Sequence, residues 1–207
     1  MIDDPSRSTV VAWYETLPAA LAVLVERVQA GAGRLLGDTF TPRDPAQVHA
    51  TLIGLERAPA PFDPAPLAAH LREVLSPPWT IRFGGFAPGD RQWLSRGLPL
   101  HERMVGVYGS KVVLIGWPVV GGEPQRILAE LRLRCAEFGA THSYGDDPDV
   151  YLVLGEVTGA PGAHVTSVIR RELAMTPVYV PLSVADLALV TYDDTTLPRA
   201  STTWHSL

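Results

Sequence analysis

The chain has 207 residues and a mass of 22.4 kDa, enough for one compact domain or two small lobes around a shared core, without disulfides or a structural metal. Hydrophobic residues make up 46% and charged residues 19%, which excludes wholesale disorder. The formal charge of −5, from 22 acidic and 17 basic residues, excludes a polybasic coat for duplex DNA or an anionic membrane. Cys135 is the single cysteine, so neither an internal disulfide nor a zinc cage is expected, and a reducing cytoplasm fits best. The opening MIDDPSRS is acidic where a signal peptide is basic and then apolar. The longest apolar stretch, 104–122, is broken by Lys111 and by glycines and is rich in β-branched residues, so it reads as strands rather than a membrane span. The expectation is a cytoplasmic protein with no membrane partner.

In chain order, VVAWY (10–14) reads as a strand, and Leu17, Leu21, Leu24 and Val28 form the apolar stripe of a helix. VHATLIGL (48–55) alternates as a strand, Leu67, Leu71 and Val74 mark a second helix, and WTIRF (79–83) is a strand. KVVLIGW (111–117) is a strand, and a helix beginning near Pro124 buries Ile127, Leu128, Leu131 and Cys135. VYLVLGEV (150–157), a helix with Ile169 and Leu173, and the strands 178–184 and 187–192 follow. The tail 194–207 has no periodic pattern and reads as a poorly ordered end.

The halves resemble each other. At an offset of 102 residues Val10 matches Val112, Asp44 matches Asp146, Val48 matches Val150, and Leu52 matches Leu154. The helix residues Leu67 and Leu71 match Ile169 and Leu173 at the same offset, and Pro78 and Pro177 follow at 99. The order strand, helix, strand, helix, strand thus occurs twice. This predicts an α+β fold of one bilobal domain, 1–207, with duplicated β-α-β-α-β lobes and two antiparallel or mixed sheets around a central cleft. The first lobe runs over about 9–100, the second over about 101–193, and 194–207 is the tail.

His49-Ala50-Thr51-Leu52 lies inside an alternating strand, so His49 and Thr51 share one face while Val48, Ala50 and Leu52 point to the core. An imidazole shuttles protons near neutral pH, and a hydroxyl beside it donates to a phosphoryl oxygen. The plainer alternative is a half-exposed strand that carries one His and one Thr.

The HATL strand within PRDPAQVHATLIGLER, the order of elements around it and the second lobe of like design resemble the two-histidine (2H) phosphoesterase superfamily. That group includes the 2′,5′-RNA ligase-like proteins and the RNA 2′,3′-cyclic phosphodiesterases. The resemblance spans about residues 9–193. It implies a cleft to which each lobe gives one His-x-Thr or His-x-Ser strand, one His activating water or a ribose hydroxyl and the other protonating the departing oxygen. It also implies that the two hydroxyls hold the phosphate, that no metal or other cofactor takes part, and that the partner is a nucleotide or RNA terminus bearing a phosphate ester.

The second motif departs from that pattern. At the repeat offset His49 is matched by Tyr151 and Thr51 by Val153, in the run Tyr151-Leu152-Val153-Leu154-Gly155. A phenol of ordinary pKa about 10 donates a hydrogen bond but is a poor base at neutral pH. Valine offers phosphate no hydrogen bond, and losing one member of an acid–base pair costs on the order of 10² to 10⁴ in rate. His164-Val165-Thr166 has the right letters but opens a helix, with Thr166 as its expected cap, where positions two apart do not share a face. His142 lies in the loop before the Tyr151 strand.

Arg43 and Arg57 flank the HATL strand as candidate substrate-binding cations, or as solvated surface charges. No Lys or Arg lies between Cys135 and Ile169, while Glu137, Asp146, Asp147, Asp149 and Glu156 do, which predicts an acidic rim on the second lobe opposing an anionic ligand. Trp13 and Trp117 occupy similar places in the two halves, as stacking platforms for a base or as core. Three functions stay open: a weakened cyclic phosphodiesterase with His49 as acid or base, Thr51 as phosphate donor and Tyr151 as partial substitute for the missing His; a catalytically reduced protein binding a nucleotide, an RNA end or a small ligand; and a rebuilt cleft for a neutral or cationic ligand.

Overall fold

A computed structural model describes residues 7–14, 16–55, 63, 65–74, 79–86, 88–138, 147–159, 163–172, 177–193, 197 and 202–206. The fold is α+β, with one large antiparallel sheet, a separate two-stranded hairpin and, among the described residues, five α-helices. The strands of the large sheet are β1 (Arg7–Ala12), β2 (Phe40–Pro42), β3 (Ala50–Leu55), β4 (Trp79–Phe83), β7 (Val105–Tyr108), β8 (Lys111–Val120), β9 (Glu123–Pro124), β10 (Val150–Val157), β11 (Val178–Leu182), β12 (Leu187–Tyr192) and β13 (Thr203–Ser206). The hairpin is β5 (Leu94–Ser95) and β6 (Leu98–Pro99). The helices are α1 (Ala19–Leu36), α2 (Ala65–Val74), α3 (Leu100–Arg103), α4 (Ile127–Arg134) and α5 (Ala163–Glu172).

The strand order is β11-β4-β8-β10-β3-β1-β12-β13, with β2 beside β10 and β7 and β9 beside β8. Every ladder is antiparallel, and the path is continuous where two sheets, in part mixed, were expected. The reason lies at the centre. β3 and β10 join through only two residue pairs, Thr51 with Tyr151 and Ala50 with Leu152, a seam short enough to separate the two sides without breaking the path. The outer strands are exchanged. β4 pairs with β8, and β12 pairs with β1, so each side of the seam is built from both halves of the sequence.

The registers on the two sides correspond. β1 pairs with β3 as Thr9–Gly54, Val10–Ile53, Val11–Thr51 and Ala12–Ala50, skipping Leu52 at a bulge. β8 pairs with β10 as Lys111–Glu156, Val112–Gly155, Val113–Val153 and Leu114–Leu152, skipping Leu154. Adding 102 to each number in the first set gives the second. A bulge releases a carbonyl from the ladder, and a buried carbonyl needs a donor. Leu52 O accepts Arg132 Nε at 2.9 Å, from α4. Leu154 O accepts the Arg43 backbone N–H at 2.9 Å and Gln29 Nε2, from α1, also at 2.9 Å. Each bulge is therefore closed by a polar side chain from the helix of the other half.

The core follows from the period-2 pattern. Val10, Ala12, Leu52, Leu114, Leu152 and Leu154 belong to the main cluster, together with Leu21, Leu24, Val25 and Val28 of α1. Each large aliphatic of this set contributes roughly 1.5–3 kcal/mol by leaving water. The other face of β1 and β12 carries a second cluster: Val11, Ala188, Val190 and Leu197, with Trp13, Tyr192 and Trp204 packed on it. Leu197 and Trp204 come from the segment read as an unstructured tail. β13 pairs with β12 there, and Trp204 faces Val190 across the ladder. No helix is long and apolar enough to cross a membrane among the described residues.

Candidate functional site

His49 immediately precedes β3 and is 5% exposed. Its Nδ1 lies 3.0 Å from the Gln47 carbonyl oxygen. A carbonyl only accepts, so Nδ1 carries the proton and Nε2 is left with its lone pair. The ring stacks on Trp13, centroids 6.0 Å apart at 24°, and Trp204 meets Trp13 edge-on at 4.8 Å and 66°. Burial lowers the His49 pKa to about 4; the Gln47 carbonyl opposes that shift, and the charges of Arg43 and Lys111 add to it. The imidazole is neutral across the physiological range.

Thr51 is half-buried on the face of β3 that also carries its ladder partners Val11 and Tyr151. Directly opposed residues in an antiparallel ladder have Cβ atoms about 5 Å apart, so Thr51 and Tyr151 sit side by side at the seam. Val153 and Glu156 share this face, as their partners Val113 and Lys111 stand two residues apart on β8. A cleft of about 410 Å³ lies along β2 and β10, lined among others by Thr41, Arg43, Asp44, Gln47 and Glu156. Gln47 of its lining also contacts the His49 ring through its carbonyl, but His49, Thr51 and Tyr151 are not among the lining residues. Gly155 lets β2 approach: a Cβ there would fall 2.6 Å from the Thr41 carbonyl oxygen.

The Tyr151 side is a buried polar centre. Tyr151 Oη donates to Asp147 Oδ2 at 2.6 Å and to Asp149 Oδ2 at 3.3 Å. Asp149 Oδ1 accepts Ser95 Oγ at 2.7 Å and Trp117 Nε1 at 2.9 Å, and Asp149 Oδ2 pairs with Arg103. Asp147 takes Arg132 at 2.6 Å and Arg96 at 2.8 Å. Burial, then the two carboxylate charges, push the Tyr151 phenol far above its ordinary value. It is a neutral donor already bound to a carboxylate.

The structure thus brings His49, Thr51, Tyr151, Trp13 and Arg43 to one seam. Trp117 is core: fully buried and bonded to Asp149, it offers no face to a ligand. Arg57, Asp146 and His142 lie outside the described residues. The acidic rim expected on the second half is corrected for Asp147 and Asp149, which are buried and neutralised by Arg96, Arg103 and Arg132; exposed Glu156 does line the cleft. α5 begins at Ala163, so Thr166 lies inside the helix rather than at its cap. Arg132 and Arg96 were not singled out from sequence. Arg132 sits with Leu128, Leu131 and Cys135 on the buried stripe of its helix, a placement that marks a satisfied interior cation. Arg96 precedes Gly97 in a turn dipeptide. Among the described residues no three His, Cys, Asp or Glu side chains gather to hold a metal ion.

No protein-family model and no curated protein matches the chain. Among solved structures it is similar to TT0787 of Thermus thermophilus, with a TM-score of 0.51 and 19% identity over 97% of this chain and 94% of that one. A protein described as a phosphoesterase gives a TM-score of 0.48 and 15% identity over 99% and 96% of the two chains. The conserved protein of unknown function ATU0111 from Agrobacterium tumefaciens str. C58 gives 0.44 and 14% over 87% and 82%. The chain has the α+β fold of TT0787 along nearly its whole length.

Proposed function

We propose that this chain is a 2H-type phosphoesterase relative, built from two related halves, that binds a phosphate ester of a nucleotide or RNA end and opens a 2′,3′-cyclic phosphate slowly with one base. The observation that carries this reading is the Nδ1 contact of His49 with the Gln47 carbonyl, which leaves Nε2 as a neutral base on a residue two positions before Thr51. The matched registers on the two sides of the seam support the duplicated origin.

In this reading Nε2 of His49 takes a proton from water as the oxygen attacks phosphorus. The bond from phosphorus to one ribose oxygen breaks, and the Thr51 hydroxyl donates to a non-bridging oxygen. Tyr151 is too weak an acid to protonate the leaving oxygen, which takes its proton from water, so turnover is slow by about 10² or more. A second reading, binding without turnover, is favoured by the Tyr151–Asp147 bond, which leaves the second half without an acid–base group at that position.

The test is calorimetric titration with nucleoside 2′,3′-cyclic monophosphates, followed by product analysis, on the wild type and His49→Ala. Binding with slow hydrolysis that the variant abolishes supports the first reading. Binding with hydrolysis at the uncatalysed rate in both proteins selects the second. No binding by the folded wild type overturns both.

A further inference from the structure

His49 is oriented by its own chain, through a carbonyl two residues earlier: Nδ1 donates to Gln47 O at 3.0 Å. Gln47 ends a single 3₁₀ turn, Pro45–Gln47, that lies between β2 and β3. The last carbonyls of a helical turn find no donor within it, which leaves Gln47 O for the imidazole. Three bonds set the direction of that carbonyl. Gln47 N–H donates to Asp44 O at 2.8 Å, and Val48 N–H donates to Pro45 O at 3.2 Å. The third comes from a side chain: Asp44 Oδ1 accepts the Ala46 N–H at 2.9 Å, one of the leading donors that a helical turn cannot pair internally.

The segment is fixed at both ends. Upstream, the Arg43 N–H donates to Leu154 O at 2.9 Å, and the Arg43 carbonyl accepts Gln29 Nε2 at 2.7 Å. Downstream, Val48 is buried and β3 begins at Ala50. Between these anchors Asp44, Pro45, Ala46 and Gln47 are exposed, so water competes for each bond of the turn. Pro45, with its fixed φ, and the Asp44 cap define the turn against that competition.

We infer that Asp44 is a positioning residue for His49: by capping the turn it holds the Gln47 carbonyl on Nδ1 and keeps the lone pair on Nε2. The functional consequence rests on the phosphate-ester reading above, in which Nε2 is the base. The chain supplies its own control. Asp44-Pro45-Ala46 recurs in sequence as Asp63-Pro64-Ala65, where Asp63 Oδ1 accepts the Ala65 N–H at 3.0 Å at the head of α2.

The experiment labels the histidines of the full chain with ¹⁵N and follows exchange of the His49 Nδ1 proton with water by NMR. Wild type, Asp44→Ala, Asp44→Asn and Asp63→Ala are compared, with a thermal melt of each, and the His49 signal is assigned by its loss in His49→Gln. Asp44→Ala is expected to exchange about fivefold faster, the increase in opening that corresponds to losing one cap. Asp44→Asn keeps the acceptor and is expected to exchange like wild type. Asp63→Ala loses the same kind of bond and is expected to leave His49 exchange unchanged, even where its melting temperature falls. Unchanged exchange in Asp44→Ala overturns the inference. So does equal acceleration in Asp63→Ala, which marks a general loosening, or in Asp44→Asn, which marks an effect of charge. A wild-type ring that carries its proton on Nε2 overturns the inference and the assignment of the base together. Hydrolysis of a nucleoside 2′,3′-cyclic monophosphate is measured alongside, without bearing on the exchange rates: its absence in wild type removes turnover from the reading above and leaves the positioning of the ring standing.

Discussion

Tyr151 donates its hydroxyl to Asp147 Oδ2 over 2.6 Å, and that bond decides what the second half of the seam can do. A phenol held against a carboxylate stays protonated, so the position opposite Thr51 offers a fixed dipole where a proton shuttle would be needed. Tyr151→Phe is expected to lower stability by about 2 kcal/mol, the usual value for a hydrogen bond to a charged group. Any turnover should change by less than about tenfold, well short of the loss for an acid–base residue. Urea denaturation and steady-state rates check the two halves of this prediction.

His49 links stability to pH. Its pKa is lowered to about 4 from an ordinary 6.5, so the unfolded chain takes up a proton between these values while the folded chain refuses it. The stability tied to this group is complete above pH 6.5 and falls as the pH drops toward 4. Between pH 7.5 and 4.5 the wild type should lose roughly 2 kcal/mol more than His49→Gln, measured by chemical denaturation of both at each pH. The acid limb of any hydrolytic activity should lie near 4 rather than near 6.5.

Arg132 joins the two halves. It donates to Leu52 O on β3, and to Asp147 O at 2.6 Å, Asp147 Oδ1 at 2.6 Å and Asp149 O at 2.5 Å, ahead of β10. Arg132→Met removes the cation, strands the bulge carbonyl and weakens the pairing of Asp147. The expected cost is about 3–5 kcal/mol, visible as a fall in the urea midpoint. Gln29→Leu, at the corresponding bulge, removes neutral bonds only and should cost about 1–3 kcal/mol.

Trp204 tests the C-terminal strand. Its ring packs edge-on against Trp13, and β13 is a four-residue strand paired with β12. Trp204→Ala should cost about 2 kcal/mol and shift the emission of the remaining tryptophans as Trp13 gains solvent. Amide exchange at 203–206 should be faster than in β10, which lies inside the sheet.

The strands at 79–83, 150–157 and 187–192 were legible to the residue, because short runs rich in β-branched, aromatic and aliphatic side chains bounded by turn residues mark a strand. Their partners were not legible. Nothing in WTIRF says that it pairs with β8 rather than with a strand of its own half, since pairing is set by long-range packing that a local pattern does not encode. The 102-residue offset relates the registers of β1 with β3 and of β8 with β10, but neither the bulges nor the β3–β10 seam was read from it. The tail escaped because a short edge strand carrying one large apolar side chain has no period to detect. The polar centre escaped for a different reason. Asp147 and Asp149 read as part of an acidic rim from sequence, and only their pairing with Arg96, Arg103 and Arg132 shows them to be interior.

Restoring the second motif tests the central claim most directly. In Tyr151→His/Val153→Thr an imidazole takes the place of the phenol beside Asp147, whose negative charge favours the protonated ring that a general acid requires. Single-turnover hydrolysis of a short RNA ending in a 2′,3′-cyclic phosphate is the measurement. A rise of about 10² or more over wild type, abolished by adding His49→Ala, is the predicted result. A folded double variant that binds the RNA end yet cleaves no faster than wild type would contradict the account.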